Sequence, residues 1–317
     1  MQSLILTLRP LTAFGTLPLG DTLFGQLCWI LYERLGNAAL ETLKEGYTEG
    51  RPFAVVSDAM PSGYIPRPTV PMSFFRQEQD ADRKAIKKKT WLKTTELNKP
   101  FTEWLSVCEA LKIEEEHLQQ HNSISRLTNT TGKGSFAPYT QAQYWYRPEV
   151  KLDIHIVFDE KRISEAQLKS AFEEMGQYGF GRDASIGLGK FEVCEVRPHS
   201  FPQSPHTNAV LTLAPCSPKE LNFDAENSYY QLFTRFGRHG AQAMSYPVEN
   251  GARNPFKTPI ILAKSGAVFS SESFSLSTLF TGRGLGGSGQ LSKQIPTTIQ
   301  QGYAPVVPIH FAPQEET

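Results

Sequence analysis

Over the first two hundred residues, short runs in which apolar and polar residues alternate are interspersed with longer runs in which apolar residues recur every three or four positions, as in a helix. Strand-like runs occur at residues 3–9, 53–57, 151–159 and 190–196. A helix is predicted after the first of them, with Asp21 or Thr22 as its N-cap and Gly36 as its end. A second helix follows the third strand, with Ser164 as its N-cap. The order is therefore strand, helix, strand, strand, helix, strand.

This order predicts a ferredoxin-like domain over residues 1–200. A long insertion interrupts it at about residues 73–146, with a basic run, an acidic run and a helical stretch near residues 102–118. Residues 207–317 hold four further strand-like runs and little helical signal. The fold class predicted is α+β, with two ferredoxin-like (RRM-like) domains in tandem, the second reduced and β-rich. A glycine-rich loop is expected before the last strand of each domain.

Composition narrows the classes of function. Of the 317 residues, 39% are hydrophobic, which is enough for two packed cores. Lys+Arg and Asp+Glu both total 32, so any nucleic-acid site must be a local patch. The four cysteines lack a CxxC pair, which indicates a reducing compartment. No basic leader and no apolar run of about 18 residues is present, so we expect a cytoplasmic protein without a membrane segment.

Two glycine-rich segments are the first candidates for binding chemistry. Residues 179–190 combine four glycines with Arg182, Ser185 and Lys190, and residues 282–289 repeat this pattern around Arg283. Glycine lets backbone amides approach phosphate oxygens, and the basic side chains add charge. In the structural alternative the glycines only allow tight turns or bulges before strands, and this alternative fits either segment equally well.

A third candidate segment, residues 122–139, is rich in hydroxyl and basic side chains and precedes an aromatic cluster at residues 144–146. Together the three segments predict an RNA-binding site that needs no cofactor and no metal ion. The candidate RNA-binding residues are Arg126, Gly132, Lys133, Gly134, Gly181, Arg182, Ser185, Gly187, Gly189, Lys190, Gly282, Arg283, Gly284, Gly286 and Gly287.

Motifs for catalysis and nucleotide binding are weak. The glycines of residues 282–289 match GxGxxG but precede a strand instead of a helix, which disfavours a dinucleotide site. His117 and His121 are four residues apart on a predicted surface helix, without the glutamate of HExxH. His155 alternates with apolar residues on a strand, so we expect it on the exposed face. The sequence predicts no catalytic group.

Several of these segments resemble the repeat-associated (RAMP) proteins of CRISPR systems. The resemblance covers LPLGDTLFGQLCWILYERLG at residues 17–36, SRLTNTTGKGS at residues 125–135, GFGRDASIGLGKF at residues 179–191 and the glycine-rich residues 282–289. Within this superfamily the layout is similar to the fourth subunit of the type III-A Csm effector complex. A type III-B counterpart or a divergent type III branch fits the same motifs.

The resemblance implies a non-catalytic subunit that binds the 5′ tag of the crRNA. The protein partners it implies are the large polymerase-bearing subunit and the backbone RAMP subunit. Two alternatives come from the same superfamily. An endoribonuclease that processes precursor crRNA would carry a histidine near the first helix, yet residues 14–36 contain none. A target-cleaving backbone subunit would carry a catalytic aspartate, and no clear one stands in an equivalent loop.

Overall fold

The computed structural model describes residues 1–76, 82–202, 206–219, 221–239, 256–271, 274 and 277–312. The strands of these residues are β1 (Gln2–Pro10), β2 (Ala54–Val56), β3 (Met60–Pro61), β4 (Tyr64–Pro66), β5 (Trp91–Lys93), β6 (Glu114–His121), β7 (Tyr139–Tyr146), β8 (Leu152–Phe158), β9 (Phe191–Pro198), β10 (Ala209–Thr212), β11 (Asp224–Tyr229), β12 (Leu232–Arg235), β13 (Ile260–Ala263), β14 (Val268–Ser270), β15 (Phe280–Gly286) and β16 (Ile299–Ile309). The α-helices are α1 (Gly20–Lys44), α2 (Arg83–Lys88), α3 (Trp104–Val107) and α4 (Glu165–Tyr178). Among these described helices, none combines the length and the apolar character that crossing a membrane requires.

The first sheet has the strand order β2-β8-β1-β9, with β3 also paired to β8 and all neighbours antiparallel. Alternate residues of β1, Leu4, Leu6 and Leu8, are buried together with Leu27 of α1 and Phe172 of α4. The two helices therefore cover one face of the sheet. Along the chain these elements follow one another as β1, α1, β2, β8, α4 and β9. The α+β class is confirmed.

The two helices that cover this sheet differ in how well their ends were predicted. Ser164 caps α4 as expected, because its hydroxyl accepts the backbone N–H of Gln167 at 3.2 Å in a capping box. The N-cap residue of α1 is Leu19, not Asp21 or Thr22. Gly36 ends the first helical segment as predicted, because its φ of 81° and ψ of 171° are not helical, and a second helical segment continues beyond this kink to Lys44.

The second face of the first sheet is buried as well. Thr7 Oγ1 donates to Asp153 Oδ1 at 2.6 Å on this face. His155 is only 5% exposed, and the ring of Phe201 stacks on it at 5.0 Å between centroids. Burial lowers the pKa of His155 to about 3, so the imidazole is neutral. The prediction of an exposed His155 is wrong, because His199 and Phe201 pack on its ring, and Val306 of β16 lines the same small cavity.

The second sheet has the order β11-β14-β10-β16-β15, again with antiparallel neighbours. No helix lies in the described residues after residue 206. Both faces of this sheet are buried, because Leu211 and Val307 belong to one apolar cluster while Val210 and Val306 belong to another. The domain boundaries at residues 200 and 207 stay a prediction.

The segment predicted as an insertion, residues 73–146, has two separate roles. Its first part contributes Phe75, Leu92 and Phe101 to the same buried cluster as Leu211. This part therefore covers one face of the second sheet and packs away from the helices of the first.

The second part of that segment is the antiparallel hairpin of β6 and β7. The helix predicted near residues 102–118 is wrong beyond the short α3, and His117 and His121 lie on β6. Strand β6 pairs with β7 over its whole length, from Glu114 opposite Tyr146 to His121 opposite Tyr139. In this pairing the backbone N–H and C=O groups form hydrogen bonds between the two strands, in place of the hydrogen bonds that they would form within a helix.

A buried ion pair joins the start of α1 to the second half of the chain. Arg235 on β12 donates to both carboxylate oxygens of Asp21, at 2.7 and 2.9 Å. Gln300 on β16 donates to the same carboxylate at 3.1 Å. Beside it, Asp58 accepts the backbone N–H of Gly20 at 2.7 Å. Asp58 therefore satisfies the helix start, while Asp21 is used for the junction.

The Asp58 carboxyl at this junction makes the stability of the fold depend on pH. Burial, and to a lesser extent the nearby Asp21, raises its pKa to about 7, while the N–H of Gly20 and the charge of Arg235 act in the opposite direction. The folded chain then binds a proton that the unfolded chain releases above pH ~4. The free energy of unfolding contributed by Asp58 therefore falls as pH rises from about 4 to about 7.

We expect Asp58→Asn to remove this contribution, since an amide oxygen still accepts the N–H of Gly20 without carrying charge. The variant should gain stability over the native chain by about 1 kcal/mol per pH unit through this window and no further above it. Urea unfolding of both chains between pH ~5 and ~8 measures the difference. Parallel pH profiles for the two chains would contradict the prediction.

Candidate nucleic-acid interface

The first glycine loop, residues 179–190, is held by the side chain of Gln26. The Nε2 of Gln26 donates to Gly179 O at 2.8 Å, and its Oε1 accepts the N–H of Gly181 at 3.1 Å. Gln26 lies on α1, one and a half turns after the helix begins. One side chain thus binds the loop at two backbone positions and fixes it to the start of α1.

The segment between β1 and α1 binds the rest of this loop. Thr16 Oγ1 accepts the N–H of Arg182 at 3.1 Å, and Thr12 Oγ1 accepts the N–H of Lys190 at 3.0 Å. The N–H of Gly189 donates to Ala13 O at 2.7 Å. These amides are used within the protein, so they are not the phosphate-binding donors that the sequence suggested.

The glycines of this loop have conformational and packing roles. Gly179, Gly181, Gly187 and Gly189 all have positive φ, which side chains rarely adopt. A Cβ at Gly189 would lie 2.1 Å from the carbonyl oxygen of Phe180. The loop therefore needs glycine to fold back on itself, and its binding chemistry rests on the exposed side chains.

Arg182, Ser185 and Lys190 are the exposed polar side chains of this loop among the predicted site residues. The guanidinium of Arg182 donates to Asp183 Oδ2 at 3.2 Å and to the carbonyl oxygen of Ala142 on β7. Arg182 therefore connects the loop to the hairpin of β6 and β7. A guanidinium has five N–H groups, so this geometry leaves donors for a phosphate.

The hairpin tip, residues 122–138, carries the third group of predicted residues. Arg126, Gly132, Lys133 and Gly134 are all exposed. At the base of the hairpin, Phe14 and Tyr144 exchange backbone hydrogen bonds of 2.9 Å. The segment that binds the first glycine loop thus also binds the base of the hairpin, so the loop lies beside β7.

The second glycine-rich segment lies on a strand. Gly282, Gly284 and Gly286 belong to β15, which pairs with β16, so the loop predicted here is wrong for these residues. A Cβ on Gly284 would lie 2.4 Å from the carbonyl oxygen of Tyr47. Glycine at this position lets β15 approach the 3₁₀ helix Tyr47–Glu49 that follows α1.

The second glycine-rich segment contacts α1 through other residues than the first glycine loop does. Thr297, beyond the glycines, donates to Glu41 near the end of α1 at 3.3 Å. The first glycine loop instead binds Gln26, which precedes the kink at Gly36, whereas Glu41 follows it. The segment also approaches the start of α1, because the ring of Tyr47, whose backbone lies against Gly284, stacks on Phe24 at 4.9 Å between centroids.

Sequence reasoning missed the residues that position the first glycine loop. Gln26, Thr12 and Thr16 are polar positions whose partners lie more than 150 residues away. The signal that was available is the glutamine within the apolar face of α1. No group of three or more His, Cys, Asp or Glu side chains within the described ranges is arranged to hold a metal ion.

Comparison with known proteins identifies the fold. No family model matches the sequence, and no curated protein matches it. A solved Csm1-Csm4 cassette in complex with pppApA matches with a TM-score of 0.60 and 15% identity over 100% of both chains. A Csm3-Csm4 subcomplex in the type III-A CRISPR-Cas interference complex matches with a TM-score of 0.62 and 14% identity, over 99% of this chain and 100% of the other.

A Csm1-Csm4 cassette in complex with cA4 matches with a TM-score of 0.59 and 16% identity, over 99% of this chain and 100% of the other. Csm4 is the component that these complexes share. The chain has a Csm4-like fold. Because the matches span essentially the whole of both chains, the Csm4-like fold includes both sheets and the elements between them.

In this Csm4-like fold the tight contact at Gly284 predicts a loss of stability on substitution. We expect Gly284→Ala to lower the free energy of unfolding by about 1–3 kcal/mol, because the added methyl group overlaps the Tyr47 backbone. Gly25→Ala is the matched control: Gly25 is helical and has no atom within 4 Å of an added Cβ. The control should gain about 0.5–1 kcal/mol. Urea unfolding of the two variants tests this, and equal effects would contradict it.

Proposed function

We propose that this chain is a non-catalytic, cytoplasmic subunit of a type III CRISPR effector complex. It binds the 5′ tag of the crRNA and contacts the large polymerase-bearing subunit and the backbone RAMP subunit. The observation that carries the proposal is the full-length similarity to Csm4, which the solved structures contain together with Csm1 and with Csm3. In the same proposal each of the two sheets belongs to a ferredoxin-like domain.

The geometry of the first glycine loop and the hairpin supports RNA binding. Lys190 and Lys133 are exposed, and Arg182 lies between the loop and β7 with free N–H groups. Arg182 and Lys190 form a local basic surface on a chain with equal numbers of basic and acidic residues, and Lys133 lies at the tip of the hairpin whose strand Arg182 contacts. A local surface of this kind binds the phosphates of a single strand without a net positive charge on the whole molecule.

The rigidity of this surface also supports the proposal. Gln26, Thr12 and Thr16 hold the loop backbone at four amide or carbonyl groups. The basic side chains therefore extend from a backbone whose position does not depend on RNA. A preorganised surface loses less conformational entropy when it binds a flexible strand.

Replacing Arg182 and Lys190 together with alanine should weaken retention of the guide RNA. The double variant loses two phosphate contacts, so the slope of log affinity against log salt should decrease by about 1.4 for a single strand. Lys161→Ala/Lys169→Ala is the matched control, since both lysines are exposed next to or on α4 and the change in charge is the same. Titration of labelled tag RNA at several salt concentrations measures the slope, and an unchanged slope would exclude the two residues from the site.

Arg283→Ala is tested separately, because Arg283 lies on β15 and not in the first glycine loop or the hairpin. We expect its effect on guide retention to add to that of the double variant, since residues of separate elements act nearly independently when they share no partner. The readout is the amount of RNA that co-purifies with the assembled complex. A triple variant that retains as much RNA as the native chain would contradict all three assignments.

The absence of catalysis is tested directly. Purified chain incubated with labelled repeat RNA in metal-free buffer should leave the RNA intact. Site-specific cleavage would instead support the endoribonuclease alternative and overturn the proposed scaffold role. Cleavage that disappears after a further purification step would indicate a contaminating nuclease, so activity must follow the chain through two columns.

A further inference from the structure

The paired strands β12 and β13 form a two-stranded ribbon with two different faces. Leu232 pairs with Ala263 and Arg235 with Ile260, and an isolated bridge between Arg238 and Phe256 extends the ribbon. The inner face carries Arg235, which binds Asp21, and the buried Leu262. The inner face thus fixes the ribbon to the start of α1.

The outer face of this ribbon is apolar and exposed. Leu232 is 55% exposed, Phe236 74% and Ile261 61%. Leu232 and Phe236 are on the same face because they are an even number of residues apart, and Ile261 pairs with Thr234 between them. Such a contiguous exposed row is typical of a binding surface.

The charge of the ribbon favours an anionic partner. Residues 231–239 and 256–264 contain Arg235, Arg238, Lys257 and Lys264 and no aspartate or glutamate. Of these, Arg238 is exposed beside the apolar row. An exposed aromatic ring beside an exposed cation is the combination that binds single-stranded nucleic acid, since a base stacks on the ring and the cation binds phosphate.

The ribbon is adjacent to the first glycine loop. Arg235 donates to the hydroxyl of Thr22 as well as to Asp21. Thr22 and Gln26 are four residues apart on α1, so they lie on the same side of the helix, about 6 Å apart along its axis. Gln26 binds the first glycine loop. Both surfaces are therefore fixed to the same two turns of α1.

We propose that the outer face of the ribbon is a second single-stranded RNA site, continuous with the first glycine loop. In it Phe236 stacks on a base, Leu232 and Ile261 contact the flanking base or ribose, and Arg238 binds a phosphate. This inference rests on the proposed function, because it assumes that the chain binds RNA. It adds a contact surface that no motif in the sequence indicated.

The test is fluorescence anisotropy of the full chain with labelled single-stranded RNA of about 12 nucleotides, a length within the range that one such surface covers. We expect Phe236→Ala to weaken binding about fivefold or more and Phe236→Trp to restore it. Leu35→Ala, at an exposed leucine of α1 away from the ribbon, is the control and should bind as the native chain does. Arg238→Ala should lower the salt dependence, whereas Phe236→Ala should leave it unchanged.

A strand of the same length with abasic positions separates stacking from charge. The native chain should bind it more weakly than intact RNA, and Phe236→Ala should bind both strands equally. If the native chain binds RNA and Phe236→Ala binds it equally well, the ribbon site is excluded while the proposed function stands. Loss of a partner subunit from Phe236→Ala at unchanged RNA affinity would assign the face to protein contact and overturn the RNA site. A native chain that binds neither tag RNA nor this oligomer would overturn both proposals.

Discussion

The pairing of Asp21 with Arg235 is the constraint on which the arrangement of the two sheets depends. The Asp21 side chain is 1% exposed and that of Arg235 is 19% exposed, so both charges are largely removed from water. The cost of removing the two charges from water offsets much of their attraction, so the pair adds little net stability. Its main effect is to favour the one arrangement of α1 and β12 in which the two side chains meet. Two hydrogen bonds from the guanidinium and one from Gln300 satisfy the carboxylate only when β12 and β16 both meet the start of α1. The ribbon acquires its position from this contact, and the first glycine loop is bound to the next turn of the same helix by Gln26.

The glycines of this chain act mainly through backbone geometry. In the first glycine loop their positive φ values and close contacts let the chain fold back under Gln26, and the amides are bound by Thr12, Thr16 and Ala13. In β15 they let a strand approach the backbone of Tyr47. The chemistry available to a polynucleotide is therefore that of side chains held on these rigid segments. This explains how a chain without net charge can present a basic surface.

The segment between β2 and β8 connects the two halves. One part of it buries Phe75, Leu92 and Phe101 against the second sheet, and the hairpin of β6 and β7 extends beside the first glycine loop. The β16 strand in turn covers part of the second face of the first sheet. Neither sheet is buried by residues that are contiguous in sequence, so the two halves depend on each other for their cores.

The sequence by itself determined the features whose partners lie within a few residues. The alternation in β1 and β8, the helical period of α1 and α4, and the capping box at Ser164 are of this kind. The tertiary structure decided the features whose partners are distant. Asp21 is a good cap by residue type, but Arg235, 214 positions away, binds its carboxylate. His155 alternates like an exposed residue, but the rings of His199 and Phe201 pack on it. The glycines of β15 form a strand because β16 pairs with them. The local sequence contains the periodicity of a helix or strand and the residues that cap it. Which face of the element is buried, and which strand it pairs with, depend on distant segments that come together only in the folded chain.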